Sequence, residues 1–120
     1  MRWIKLYDSK IMEKEDFIRL LKVEGKKICL VKNQDTCFAT QSRCPHAGAD
    51  LSQGWCENGK LICPFHRYKY DLKSGKGDPG QGDYITTYPL EIRNDGIYIG
   101  WKESWFKLFL NKIWKPKSSK

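Results

Sequence analysis

The chain has 120 residues, enough for one compact domain, and its 22 Lys and Arg against 14 Asp and Glu give a formal net charge of +8 at pH 7. With 40% hydrophobic and 30% charged residues, and charges spread through positions 1–17, it is expected to be a cytoplasmic globular protein without a secretory signal or a transmembrane helix. The basic excess gathers in a C-terminal tail that lacks Arg, which argues against nucleic-acid binding, and the odd number of five cysteines argues against a disulfide framework.

The first hundred residues have the pattern of short strands separated by turns. Strands are predicted at 3–7, 27–32, 36–40, 60–62, 67–71, 84–93 and 97–100. Residues 9–23 fit either a short helix or a strand with its approach loop, and the Gly-rich run at 75–83 predicts a loop. Because no helices alternate with these strands, the predicted fold class is all-β, with antiparallel pairing.

Both histidines and two of the cysteines form a paired motif. Cys44 and His46 have the spacing C-x-H, and after sixteen intervening residues Cys63 and His66 have the spacing C-x-x-H. Two thiolates and two imidazoles can hold a tetrahedral zinc ion or an iron–sulfur cluster. Structural zinc sites more often use C-x-x-C pairs, whereas one Cys and one His from each loop suit a two-iron cluster with both thiolates on one iron.

The segments CPHAGADLSQGW and CPFHRYKYDLKSG resemble the two cluster-binding loops of Rieske ferredoxins. The resemblance extends from about Trp3 to Gly100 and includes YPLEI and DGIYIG near its end. It implies one [2Fe–2S] cluster, with one iron bound by the two cysteines and the other by the two histidines. The ligands by this resemblance are Cys44, His46, Cys63 and His66.

The resemblance, for the first hundred residues, and the residue pattern, for the remainder, imply a domain organisation. Residues 1–100 would form a Rieske-type antiparallel sandwich or barrel, with a small cluster-binding subdomain of two loops at about 42–75. Residues 101–120 would form a basic, aromatic-rich, amphipathic tail, which is expected to be helical and carries a net charge of +5. That tail could dock on the domain, on a partner protein or on a membrane surface, and the sequence leaves these alternatives open.

Four positions bear on whether the chain belongs to the low-potential or the high-potential branch of this family. High-potential members of the family carry an additional cysteine in each loop, joined by a disulfide, and Ala49 and Phe65 stand at the matching positions. This departure implies the low-potential branch. Tyr70 resembles the tyrosine that donates a hydrogen bond to a ligand sulfur in high-potential members, although it could equally be an inward aromatic on a strand. In addition, Arg67 stands where Gly usually follows the second histidine.

The remaining loop residues and cysteines are expected to have structural roles. Pro45, Pro64 and Gly48 are expected to shape the two loops so that backbone N–H groups point at the sulfurs. Cys29 and Cys37 fall within predicted strands and are expected to be buried, and Cys56 is expected to have no role at the site.

The predicted function is electron transfer, without catalysis by the chain itself. An oxygenase of the Rieske type needs a further 2-His-1-carboxylate iron site, and both histidines are already assigned to the cluster. The resemblance therefore implies an electron carrier between a reductase and a terminal oxygenase or similar enzyme. Its docking surface would include Trp55 and Phe65 and would favour a partner with an acidic face. Two alternatives are a small subunit of a multi-subunit reductase, such as nitrite reductase, and a zinc-binding structural module.

Overall fold

The computed structural model describes residues 1–45 and 48–102. In these residues the chain forms ten strands. They are β1 (Arg2–Asp8), β2 (Phe17–Val23), β3 (Lys26–Asn33), β4 (Thr36–Gln41), β5 (Trp55–Glu57), β6 (Lys60–Ile62), β7 (Lys69–Asp71), β8 (Thr87–Tyr88), β9 (Leu90–Arg93) and β10 (Gly96–Trp101). Two 3₁₀ turns, Ser9–Glu13 and Leu51–Gln53, are the other regular elements. Within the described ranges no helix is long and apolar enough to cross a membrane.

The strands form three antiparallel sheets. One has the order β1-β10-β9, the second β2-β3-β4-β8, and the third and smallest β5-β6-β7. The smallest sheet connects the two motif loops along the chain. The first loop enters β5, and the second loop connects β6 to β7. The all-β, antiparallel fold class predicted from the sequence is confirmed.

Strand β3 occupies the centre of the molecule because both of its faces are buried. Residues 28–31 have essentially no exposed surface. Every second side chain belongs to one apolar cluster, and the side chains between them belong to two other apolar clusters. Cys29 and Val31 pack on the side that carries the motif cysteines, together with Leu61 and Leu72. Ile28 and Leu30 lie in the clusters that contain β10 residues. The small sheet is thus supported by the core of the larger sheets.

The structure decides one open alternative and changes two predicted strands in detail. Residues 9–23 form a 3₁₀ turn followed by β2, so the strand alternative is correct and the helix is not. The predicted strand at 67–71 begins only at Lys69, because Arg67 belongs to a turn with positive φ. The predicted strand at 84–93 divides at Pro89: β8 pairs with β4, whereas β9 pairs with β10. Proline lacks the N–H that a continuous ladder would need, and the chain changes sheets there.

At the end of the predicted domain, β10 continues one residue beyond Gly100. Trp101 is 1% exposed, pairs with Arg2 and stacks on Tyr88 with ring centroids 5.6 Å apart. The predicted helical tail, apart from its first two residues, lies outside the described residues.

Candidate metal centre

The first motif loop leaves β4 and turns tightly after Cys44. The Cys44 N–H donates to the Ala49 carbonyl at 2.8 Å, and the Gly48 N–H donates to the Cys44 carbonyl at 2.9 Å. Gly48 has φ +66°, a left-handed conformation that glycine adopts without steric cost, so its expected role in shaping the loop has a local basis. The Arg43 guanidinium closes the loop from outside by donating to the Gly48 carbonyl at 2.8 Å.

The second motif loop is a compact turn between Cys63 and Tyr68. The Cys63 N–H donates to the Tyr68 carbonyl at 2.8 Å, and the Phe65 N–H offsets part of the rise that burial causes in the pKa of the Cys63 thiol. His66 and Arg67 have φ values of +59° and +54°. Positive φ is costly for side chains other than Gly, so the rest of the turn must hold these two residues in place.

The two motif cysteines meet in the interior. Cys44 is 2% exposed and Cys63 is fully buried, and both pack in the same apolar cluster. Burial raises the pKa of the Cys63 thiol to about 11, and the neighbouring Cys44 adds to the rise. A metal ion would supply the positive charge that two thiolates need at such a place. The chemistry of this buried pair therefore fits a cationic group held by both sulfurs.

His66 lies apart from the thiols. It is exposed, and its ring lies 6.1 Å from that of Phe65 and 6.2 Å from that of Tyr68, measured between centroids. Across residues 1–45 and 48–102, no three His, Cys, Asp or Glu side chains gather closely enough to hold one metal ion. The remaining motif residue, His46, lies outside the described residues. The structure thus brings Cys44 and Cys63 together and places His66 nearer the surface.

The separation of the exposed His66 from the buried thiols distinguishes a zinc ion from a two-iron cluster. A tetrahedral zinc ion requires its four ligands around a single point. A two-iron core divides its ligands into two pairs, so one pair can be buried while the other lies farther out. The buried Cys44 and Cys63 pair and the exposed His66 fit the second arrangement.

A buried tyrosine contacts the cysteine pair from the side of β7. Tyr70 is fully buried, and its hydroxyl lies 3.4 Å from the Cys44 sulfur and donates to Asp83 Oδ2 at 2.6 Å. Burial, followed by the hydrogen bond to Asp83, raises the pKa of Tyr70 well above its usual range. Tyr70 therefore stays a neutral phenol with a single proton. Tyr70 points inward from its strand, as one of the two sequence-based descriptions expects, and its hydroxyl also lies beside the sulfur of a motif cysteine.

The other cysteines are free thiols, and none stands at the positions of the additional cysteines of high-potential relatives. Cys29 and Cys37 are buried as expected, and Cys37 lies on the far side of β3 in a different apolar cluster. Cys56 is half-buried in β5, where it pairs with Leu61. Ala49 packs against the apolar cluster beside the thiols, and Phe65 is 57% exposed.

Sequence reasoning missed Asp83. It ends the Gly-rich run that was predicted only as a loop, and that run does form isolated bridges, between Tyr70 and Gly77 and between Lys76 and Tyr84. These bridges carry Asp83 back to Tyr70, thirteen positions earlier in the chain. An acidic residue among glycines was the available signal, but it did not indicate a partner.

Comparison with known proteins identifies the family of the chain. The family model described as "Rieske [2Fe-2S] domain" matches residues 2–89. A curated relative, the ferredoxin component of the naphthalene 1,2-dioxygenase/salicylate 5-hydroxylase systems of Ralstonia sp., is 37% identical over 81 residues, which cover 66% of this chain and 77% of the relative.

Solved structures with the same fold include the ferredoxin of carbazole 1,9a-dioxygenase from Nocardioides aromaticivorans IC177. It has a TM-score of 0.74 and 19% identity, and the match covers 85% of this chain and all of that one. A chain from the complex of reduced oxygenase and oxidised ferredoxin in carbazole 1,9a-dioxygenase has a TM-score of 0.71 at 22% identity, covering 82% of this chain and 92% of that one. At this level of identity the likeness concerns the fold.

Proposed function

Because the chain belongs to the Rieske [2Fe–2S] domain family and carries one [2Fe–2S] cluster, we propose that it is the ferredoxin of an oxygenase system. It accepts one electron from a reductase and passes it to a terminal oxygenase. It is an electron carrier, as its relatives are, and the bond-making chemistry belongs to the enzyme that receives the electron. The zinc-module alternative is wrong because it conflicts with the family. The relatives named as ferredoxin components also favour the carrier over a small subunit of a reductase.

The proposed ligands are Cys44 and Cys63 for one iron and His46 and His66 for the other. The burial of both thiols in one apolar cluster is the observation that carries this assignment. When bound, the cluster supplies reversible one-electron chemistry. The chain supplies a buried pair of thiols, loops fixed by their own hydrogen bonds, and the exposed ring of His66 near the surface.

The electron is proposed to leave the protein through the exposed ring of His66. His66 and Phe65 are exposed at the tip of the second loop, and Trp55 is 38% exposed at the start of β5. Apolar and aromatic surface beside a redox centre suits a brief encounter, in which little area is buried and the charges orient the partners. Arg43 and Arg67 lie in the two loops, so an acidic face on the partner would suit this surface. We assign the chain to the cytoplasm as a soluble protein.

Two cysteine variants test the ligand assignment. Cys63→Ser should reduce bound iron and acid-labile sulfide to background, because a hydroxyl is a poor substitute for a thiolate on iron. Cys56→Ser is the matched control, since Cys56 is a nearby cysteine that lies half-buried in β5. It should keep two irons and two sulfides per chain. Full retention of the cluster by Cys63→Ser would contradict the assignment.

A direct transfer experiment tests the function. The reduced protein, mixed anaerobically with the oxidised terminal component of an aromatic-ring dioxygenase, should give up one electron per chain in stopped-flow absorption measurements. A reduced, cluster-loaded protein that transfers electrons to no such oxygenase would refute the oxygenase role while leaving the cluster assignment standing.

A further inference from the structure

We propose that Asp83 withholds the Tyr70 proton from the Cys44 sulfur and thereby keeps the reduction potential of the cluster low. This inference rests on the proposed function only in taking Cys44 as a cluster ligand. It assigns Asp83 and Gln81 as positioning residues, because they act on the centre through the hydroxyl of Tyr70.

Tyr70 has one hydroxyl proton and two neighbouring acceptors. Asp83 Oδ2 is 2.6 Å away, a length typical of a strong hydrogen bond from a hydroxyl to a carboxylate, and the Cys44 sulfur is 3.4 Å away. A proton directed at Asp83 leaves the tyrosine oxygen with only lone pairs to present to the sulfur. The geometry therefore favours the carboxylate over the sulfur as the acceptor.

The orientation of this network is fixed from a backbone group. The Lys69 N–H can only donate, and it donates to Gln81 Oε1 at 2.8 Å. The amide nitrogen of Gln81 must then face Asp83, and it donates to Oδ1 at 3.0 Å. Asp83 Oδ2 is left to accept from Tyr70. Each hydrogen bond in this series thus has one allowed direction.

The surrounding loop is shaped for this network. Gly77 leaves the space that Asp83 and Gln81 fill, since a Cβ at Gly77 would overlap the Asp83 carboxylate and lie 2.7 Å from Gln81 Nε2. The backbone of Gly77 also donates to the Asp83 carbonyl at 3.0 Å. The Gly-rich composition of this loop is therefore linked to the position of the carboxylate beside Tyr70.

The expected effect on the potential follows from where negative charge resides. Reduction adds an electron to the cluster, and hydrogen bonds donated to its sulfur ligands stabilise the added charge and raise the potential. Tyr70 makes no such donation while Asp83 takes its proton. The nearby carboxylate also disfavours added negative charge. Both effects act in the same direction, toward a low potential.

Asp83→Asn is a test that reverses one hydrogen bond. Gln81 Nε2 still needs an acceptor, so the Asn oxygen should face Gln81 and the Asn NH₂ should face Tyr70. The Tyr70 oxygen would then accept from Asn, and its proton would turn to the Cys44 sulfur. We expect a clear upward shift of the midpoint potential, measured by anaerobic redox titration of the cluster-loaded protein.

The control separates this effect from the loss of one negative charge. Asp78→Asn also removes a carboxylate from this loop, but that carboxylate accepts a hydrogen bond from Lys60 and not from Tyr70. The substitution should therefore shift the potential less. Asp83→Asn is also measured in a Tyr70→Phe background, where no hydroxyl proton can turn to the sulfur. The upward shift should be much smaller there. Equal shifts in both backgrounds would show a purely electrostatic effect and overturn the proposal.

Tyr70→Phe alone gives an independent test, which also decides the matter if Asp83→Asn fails to assemble its cluster. Because Tyr70 does not donate to the sulfur, its removal should not lower the potential. A lowered potential would mean that Tyr70 already donates to Cys44, and the proposal would be wrong. If the cluster spectrum is intact and the two Asp83→Asn shifts are equal, or Tyr70→Phe lowers the potential, only this inference is refuted. Absence of iron and sulfide from the wild-type protein would instead refute the proposed function.

Discussion

Arg67 holds a left-handed backbone conformation directly after His66, at φ +54°. Such a conformation costs a residue with a Cβ about 1–2 kcal/mol, and the family resemblance places Gly at this position. The turn accepts this cost because the hydrogen bond from Cys63 to the Tyr68 carbonyl closes it. The side chain adds a positive charge beside the exposed His66, where a partner would approach.

Two substitutions at this position should have opposite effects on the free energy of unfolding. Arg67→Gly should raise it by up to about 1 kcal/mol, because Gly adopts positive φ freely. Arg67→Val should lower it by about 1–2 kcal/mol, because a β-branched side chain is strained there. Denaturant unfolding of the cluster-loaded protein measures both changes.

The control for this pair is Lys73, an exposed residue without positive φ. There Gly should give no stabilisation. If Arg67→Gly and Lys73→Gly lowered the free energy of unfolding equally, backbone strain at Arg67 would have no part in the stability of the loop.

At this scale the sequence was enough to propose the four motif residues as ligands, but it did not point to Asp83. A cluster needs thiolates and imidazoles, and these rare residue types at short spacings stand out in one sequence. The contact of Asp83 with Tyr70 depends instead on the path of a Gly-rich loop, which spacing does not reveal. Sequence reasoning could name a donor near the sulfur, but it could not tell where the donor's proton goes.

Among the elements, the small sheet β5-β6-β7 holds the two motif loops in register. Trp55 pairs with Ile62, the residue just before Cys63, so the end of the first loop lies against the start of the second. Gly54 makes this approach close. A Cβ there would overlap the Ile62 carbonyl oxygen and lie 3.3 Å from that of Leu51.

Gly54→Ala should therefore weaken the centre by separating the loops. We expect the free energy of unfolding to fall by about 1–3 kcal/mol, the usual cost of inserting a methyl group into packed structure. The cluster should also be lost faster on incubation with an iron chelator, followed by visible absorption.

Gly80→Ala provides the comparison, because a Cβ at Gly80 meets no atom within 4 Å and only its φ of +93° opposes the change. Its cluster should persist as in the wild type. Equal rates of cluster loss in the two variants would contradict a role for close packing at Gly54.

Strand positions were predicted better than strand partners. Alternation and turn residues located the hairpin of β3 and β4 and the turn before β10, since both depend on neighbouring residues. The pairing of β1 with β10 joins the two ends of the domain, and the division at Pro89 sends adjacent strands to different sheets. These features depend on packing across the core, which a local pattern does not specify.

For the molecule as a whole, charge is expected to govern the encounter with a partner. The chain has a formal net charge of +8, and residues 103–120 contribute five Lys against one Glu to it. Opposite charges accelerate association and do so less at high salt, because ions screen the attraction.

The bimolecular rate of electron transfer to an oxygenase with an acidic face should accordingly fall as ionic strength rises. A chain ending at Lys102 should keep its cluster and show a weaker dependence on salt in stopped-flow measurements. A rate for the full chain that is insensitive to salt, or that rises with it, would contradict electrostatic steering.

The central claim is that two cysteines and two histidines share one diiron core. Pulsed electron paramagnetic resonance on the reduced protein tests it most directly, because nitrogen nuclei bound to the reduced iron give their own couplings. The account predicts a single paramagnetic centre coupled to two imidazole nitrogens, with one set of couplings lost or altered in His66→Cys. A centre without coupled nitrogen, or a protein that binds zinc and no iron, would contradict it.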